Sequence, residues 1–366
     1  MITAGYVAPF PPLSTQPYPP ARIHPRWKES YRLHDTWIMK HWPFQTETKR
    51  AKLPSTKLAG FIAWAAPYAD FDRLVWASRL TGLLILEDDL VNNEDHSTER
   101  IAGFKHVAAG NGPLHPRDQA EIAHDLSLQA IKRTCHPRTF AQLTRLTREW
   151  WDSNACHHKP DSFADLDSYL AGRATETGIY MTNAAIRFAA DINLTDEQLN
   201  HPLVQNAERI VAEHAVLAND LLAYLDDKMP STDEENIFTV LSNQYQLTYD
   251  QIRITLENKM KERERDFVRA GILVYSDPSL GPNAEVRRWI SCLPYGMGGY
   301  LAWSQETTRF NVGQLEPVAP LPYAVEVVPE CYTREACTSV ERSLHLHLLL
   351  LMLVELARHG LKHILL

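Results

Sequence analysis

The 366 residues, 45% of them hydrophobic, are enough to enclose a sizeable apolar core as one large domain or two smaller ones. A charged fraction of 22% and a formal net charge of −8 argue against a nucleic-acid partner, so an anionic ligand would need a local cationic or metal-bearing site. Five scattered cysteines (Cys135, Cys156, Cys292, Cys331 and Cys337), odd in number and without CxxC spacing, speak against a disulfide scaffold and for a reducing, cytoplasmic setting.

The N-terminus lacks the basic segment and continuous apolar run of a secretory signal, and its PFPPLSTQPYPP stretch reads as an extended arm over residues 1–25. Trp27 to about Phe44 predicts a first helix. Leu58 to Leu90 predicts one or two long buried helices with a boundary or kink at Pro67. Mixed apolar and charged spacing predicts helices over His115–Ile131 and Arg138–Ser153, then a helical block over Phe163–Ile192 and another from about Leu203 to Asp226. After the polar stretch MPSTDEEN, helical periodicity resumes from Ile237 to about Gly271. Asn283–Asn311 predicts at least one helix interrupted near SCLPYGMGG, and Thr338–Leu365 a final one. The apolar run Leu348–Val354 is too short to span a membrane. Strands do not alternate with helices, and neither GxGxxG nor GxxxxGK[ST] occurs, which removes the common nucleotide folds. The economical reading is all-α, with one helical domain over 26–330 and a tail, 331–366, that packs on it.

Two acidic segments carry the chemistry. GLLILEDDLVNNED places Glu87, Asp88 and Asp89 directly after an apolar stretch, and on a continuing helix Asp88 and Asn92 share a face. Oxygen ligands at the lip of an apolar cavity suit Mg²⁺, which favours carboxylates, water and phosphate oxygens. An EDD triplet by itself is more often a solvated helix end. LANDLLAYLDDK places Asn219, Ala223 and Asp227 on one helical face, with Lys228 adjacent. Asn219 and Asp227 could ligate across two turns, whereas Ala223 offers no ligand. Neither segment has the compact ligand spacing of a zinc site. Arg173 and Arg309 are candidates for charge-assisted bonds to phosphate oxygens, although an arginine in isolation is more often a surface or salt-bridge residue.

In their order and separation these segments resemble the microbial, especially fungal, class I terpene synthase family. EDDLVNNE is similar to the family's aspartate-rich motif, with Asp88 and Asp89 at its leading carboxylates, Asn92 where a second acid often stands, and Glu94 as an alternative. NDLLAYLDD resembles the family's asparagine, serine or threonine, and glutamate triad. Asn219 and Asp227 match its ends, and Ala223 falls at the hydroxyl position. Arg173, 46 residues before Asn219 (219 − 173), resembles the diphosphate-sensing arginine, with Thr177 and Gly178 at the helix-break effector region. WSQETTRFN resembles the motif ending in arginine and tyrosine, with Arg309 matching and Phe310 in place of the tyrosine.

The resemblance, strongest from about Trp64 to Asn311, implies an all-α isoprenoid synthase fold with an apolar cavity below a diphosphate. It implies Mg²⁺, three ions in the family's usual arrangement, with the third ion short of a ligand at Ala223. Asp88, Asp89, Asn92, Asn219 and Asp227 become the expected metal ligands, and Arg173, Lys228 and Arg309 the diphosphate contacts. Trp303, and more weakly Phe61 and Phe188, become candidate cavity walls whose ring faces could stabilise carbocations. The implied reaction is cyclisation of a small-molecule isoprenyl diphosphate, with farnesyl diphosphate the family's preference at this size, by a monomer or homodimer. Two alternatives stay open: a trans-isoprenyl diphosphate synthase, and a noncatalytic isoprenoid-binding protein with a degenerate metal site.

Overall fold

A computed structural model describes residues 19, 21–92, 97–155, 165–225, 237–310 and 326–327. Residues 1–18 of the arm, Asp227, Lys228, Glu94 and the helix expected over Thr338–Leu365 lie outside the described residues. The described elements, in chain order, are β1 (Arg22–Ile23), α1 (Trp27–His41), α2 (Glu47–Thr56), α3 (Leu58–Ala65), α4 (Phe71–Val91), α5 (Ser97–Ala108), α6 (Gln119–Thr134) and α7 (Pro137–Asn154). They continue with α8 (Leu166–Glu176), α9 (Ile179–Ala189), α10 (Asp196–Leu199), α11 (Pro202–Leu225), α12 (Ile237–Tyr245), α13 (Tyr249–Ser276), α14 (Ala284–Glu306) and β2 (Glu326–Val327). The fold is the all-α one expected; among the described residues its only sheet is the two-residue parallel pairing of β1 and β2.

Helix starts are written locally. Asp70 accepts the Arg73 N–H at 3.1 Å and starts α4 three residues after Pro67, the boundary anticipated from the proline. Asp118 takes the N–H groups of Ala120 and Glu121, and Asn283 those of Glu285 and Val286. Asp165 and Ser168 form a reciprocal capping box at the head of α8. Each cap is worth about 1 kcal/mol.

The core centres on α3 and α4. Every residue of α3 is buried, as expected of a helix that is apolar all round, and α3 is enclosed by α1, α4 and α14. The helix α4 packs on α1, α3, α6 and α9, and α11 packs on α8, α13 and α14. A side chain at Gly299 would stand 2.8 Å from the Trp64 carbonyl, so this glycine sets how closely α14 approaches α3. Ala21 and Ile23 are buried and the His24 N–H bonds to the Ala63 carbonyl, so the end of the arm, residues 21–25, docks on α3 instead of extending from it.

The block Phe163–Ile192 divides into α8 and α9 at Thr177 and Gly178, the helix-break region that the family resemblance implied. Two segments differ from expectation. Ile237–Gly271 divides into α12 and α13, where Gln246 takes a positive φ and Thr248 caps the second helix. Conversely, α14 runs unbroken through Pro294 where an interruption was expected. A proline inside a helix costs about 3 kcal/mol. Burial of Leu293, Tyr295 and Met297 in a helix packed against both α3 and α11 offsets that cost. No described helix is long and apolar enough to cross a membrane.

Candidate active site

The site forms where the C-terminal end of α4, the end of α8, the second half of α11 and the segment after α14 meet. The helix α4 is buried from Leu80 to Leu84 and becomes partly exposed at Asp88 and Asp89. Carboxylates at a helix C-terminus stand against its dipole and call for cations. Arg309 supplies one: its two terminal nitrogens donate to the two carboxylate oxygens of Asp89 at 2.8 and 3.0 Å. Burial works against the charge on Arg309, but the ion pair with Asp89 and the proximity of Asp88 hold its pKa above the ordinary value.

Asp88 has no such fork. Asn92 donates to it at 3.3 Å. Burial, reinforced by the neighbouring Asp89, pushes its carboxyl up to about 6 even though Arg309 and Arg173 pull the other way. Glu87 turns into the core and pairs with the buried His124 at 3.0 Å, tying α4 to α6.

Arg173 lies one turn before the break between α8 and α9 and donates to Glu176 at 3.1 Å. Burial disfavours its charge, yet the buried Asp220 and the carboxylate of Glu176 hold its pKa above the ordinary value. Asp220 in turn accepts from the Tyr169 hydroxyl and from the Ile237 N–H. Among the described residues the buried Nε of Arg173 has no hydrogen-bond partner, which leaves a donor of a charged group unused. At the break Thr177 remains α-helical while Gly178 adopts φ +71°. The Trp150 indole N–H donates to the Glu176 carbonyl at 2.8 Å and closes the end of α8.

On α11, Asn219 accepts the Tyr300 hydroxyl through Oδ1 at 2.8 Å and points Nδ2 at Asp220. Ala223, one turn further on, is partly buried. Tyr300, Phe61 and Trp303 form an aromatic cluster: Phe61 stacks on Trp303 with centroids 5.4 Å apart and meets Tyr300 edge-on at 5.6 Å. Phe310 meets Trp303 and Tyr300 edge-on at 6.2 and 6.5 Å.

The cluster is fastened to the α2–α3 junction. Trp303 donates its N–H to the Lys57 carbonyl, Thr307 its hydroxyl to the Thr56 carbonyl, and the Thr308 N–H to the Ser55 carbonyl. That seam sets the position of Arg309. Phe188 is not part of this assembly: it is buried beside Arg73, near the start of α4. Fifteen residues of helix separate Arg73 from Asp88, roughly 22 Å. A cleft of about 510 Å³ lined by Arg145, Tyr180, Arg187, Glu208 and Arg209 is likewise remote, at the opposite end of α11 from Asn219.

The described oxygen donors suit a hard cation in part. Among the described residues no three His, Cys, Asp or Glu side chains group tightly enough to hold a metal, and Asp89 is committed to Arg309. Asp88, with its carboxyl raised by burial and by Asp89, and Asn219, with an amide oxygen, are the donors of the right chemistry. That set suits an ion completed by water and phosphate oxygens, not a closed protein cage. The sequence motifs do not mark Asp220, Tyr169 or Tyr300. Glu176, three residues beyond Arg173, carries the only available signal, the spacing of a helical ion pair.

The profile of terpene synthase family 2, C-terminal metal binding, matches residues 80–266, more than half of the chain, and spans both acidic helices. The chain belongs to the class I terpene synthase family. Aristolochene synthase of Aspergillus terreus is 23% identical over 313 residues, covering 82% of this synthase and 94% of that protein. Sesquiterpene synthase 14 of Postia placenta is 22% identical, covering 80% and 84%. Among solved structures, aristolochene synthase from Penicillium roqueforti superimposes with a TM-score of 0.69 at 18% identity, covering 82% of this synthase and 99% of that chain. That likeness places the all-α architecture of this synthase with the class I fold.

Proposed function

We propose that this synthase converts farnesyl diphosphate into a sesquiterpene hydrocarbon or alcohol and diphosphate. The observation that carries the reading is that Arg309, forked onto Asp89 beside Asp88, precedes Phe310, whose ring meets Tyr300 and Trp303 edge-on, while the Tyr300 hydroxyl bonds Asn219 of the second acidic helix. The sesquiterpene names of the relatives from Postia placenta and Aspergillus terreus support the choice of chain length.

Asp88, Asn219 and Asp227 would hold Mg²⁺, which when bound neutralises the diphosphate and orients it as a leaving group. Arg173 and Arg309, with Lys228, bind the diphosphate oxygens as the allylic carbon–oxygen bond breaks and its electron pair leaves with the diphosphate. The unused Nε donor of Arg173 supports its place in that role. The aromatic faces of Phe61 and Trp303 stabilise the resulting allylic cation and exclude water until ring closure. Loss of a proton gives a hydrocarbon, and capture of water gives an alcohol.

Ala223 and Phe310 give specific support to a second reading, a noncatalytic isoprenoid-binding protein, because each lacks an oxygen where the family has one. Incubation of the purified protein with geranyl, farnesyl and geranylgeranyl diphosphates, with and without Mg²⁺, separates the readings. Metal-dependent formation of a cyclic sesquiterpene from farnesyl diphosphate is the expected result. Binding without turnover of any of the three favours the second reading. Elongated products that require isopentenyl diphosphate would identify a chain synthase.

A further inference from the structure

The tyrosine hydroxyl missing at position 310 is matched by one close by, on a residue that no motif marks. Tyr300 lies on α14, nine residues before Arg309, and its side chain is buried. Its ring meets Phe310 edge-on, and its hydroxyl donates to Oδ1 of Asn219 at 2.8 Å. The other end of the Asn219 amide faces Asp220, a carboxyl that already accepts from Tyr169 and Ile237. The amide is therefore held from both sides, with nitrogen toward the acceptor and oxygen toward the phenol. A carbonyl oxygen has two lone pairs, so one remains for a cation after the phenol has taken the other.

We infer that Tyr300 is a positioning residue that aims the Asn219 oxygen at the cation site, and that its phenol takes over the role that the absent hydroxyl at Phe310 would otherwise fill. The inference rests on the proposed Mg²⁺-dependent reaction. It also bears on the empty position at Ala223: with one ligand of the triad missing, the fixed orientation of Asn219 matters more to the cation than it would in a full triad.

The test uses the full chain and three variants, Tyr300→Phe, Phe310→Tyr and the double variant. Thermal unfolding is followed without ligand and across a Mg²⁺ titration at fixed inorganic diphosphate, alongside turnover of farnesyl diphosphate. Tyr300→Phe removes one oxygen and keeps the ring packing. It should raise the half-saturating Mg²⁺ concentration about fivefold, the effect of one lost hydrogen bond, while kcat at saturating Mg²⁺ falls less. The double variant should recover part of that loss. An unchanged Mg²⁺ requirement in Tyr300→Phe, in a protein whose parent responds to Mg²⁺ and diphosphate, overturns the positioning role alone. Failure of Phe310→Tyr to improve the Tyr300→Phe background overturns the shared role of the two positions. A parent that responds to neither ligand overturns this inference and the proposed function together.

Discussion

Replacing Asp88 with asparagine should stabilise the metal-free protein while removing its turnover. The carboxyl of Asp88 titrates near 6, against an ordinary value of 3.8, because burial and Asp89 penalise its charge. The gap of about 2 pH units corresponds to about 3 kcal/mol at 1.36 kcal/mol per unit. The side chain is still partly open to solvent, and screening brings the expected gain to about 1–2 kcal/mol. The sign follows from proton linkage: the folded protein holds this proton more tightly than the unfolded chain does, so ionised Asp88 is a liability above its folded pKa. The Asp88→Asn variant therefore has its full advantage above about pH 6, and that advantage shrinks as pH falls from about 6 toward 4. Thermal unfolding in EDTA at about pH 7.5 should show a midpoint about 1–3 °C higher for Asp88→Asn. Turnover of farnesyl diphosphate in Mg²⁺ should fall at least about tenfold. A variant no more stable than the parent at about pH 7.5, or one whose advantage is the same at about pH 4.5, would refute the reasoning.

Gly178→Ala should destabilise the fold by about 1–2 kcal/mol, because the residue holds φ +71° and its new methyl would lie 3.2 Å from the Trp150 indole nitrogen. Chemical denaturation checks the stability. The accompanying shift of the α8 end should appear as a higher KM for the diphosphate substrate. Trp303→Phe keeps a ring against Phe61 but leaves the Lys57 carbonyl without its donor. A stability loss of about 1 kcal/mol is expected, together with a changed distribution of volatile products by gas chromatography, since the replacement ring is no longer fixed in orientation.

Much of the site is legible in the sequence because its parts sit in short local patterns. Asp88 and Asp89 lie in the last turn of α4 and Asn92 caps it, and Asn219 with Ala223 share one face of α11, so helical spacing alone groups them. The break at Thr177 and Gly178 follows from family resemblance, and Gly178 shows its physical reason in a left-handed backbone. What escapes a linear reading depends on contacts between distant segments. Tyr300 meets Asn219 across 81 residues, and Tyr169 meets Asp220 across 51. Asp220 lies off the face that carries Asn219 and Ala223, so helical spacing does not group it with them; its place is set by the contacts it accepts from Tyr169 and Ile237. Phe188 misleads for the same reason, since an aromatic in an apolar helix carries no mark of which end of the bundle it faces. Pro294 reads as a breaker because local propensity cannot see the burial on both sides of α14 that overrides it.

The seam between Ser55–Lys57 and Trp303–Thr308 also fixes when the site comes into being during folding. Its bonds close a loop of 246 to 253 residues, with an entropic cost of about 5 kcal/mol. Helices can form and pair locally first, but Arg309 reaches Asp89 only after the two ends of the catalytic fold have met. A growing chain on the ribosome thus carries Asp88, Asp89 and Phe61 long before Tyr300, Trp303 and Arg309 emerge to join them. In refolding, helical circular dichroism should return ahead of the fluorescence response to Mg²⁺ and diphosphate, and simultaneous recovery would count against this order of assembly. On the proposed function, ionisation of the substrate would thereby be confined to molecules whose aromatic walls are already in place.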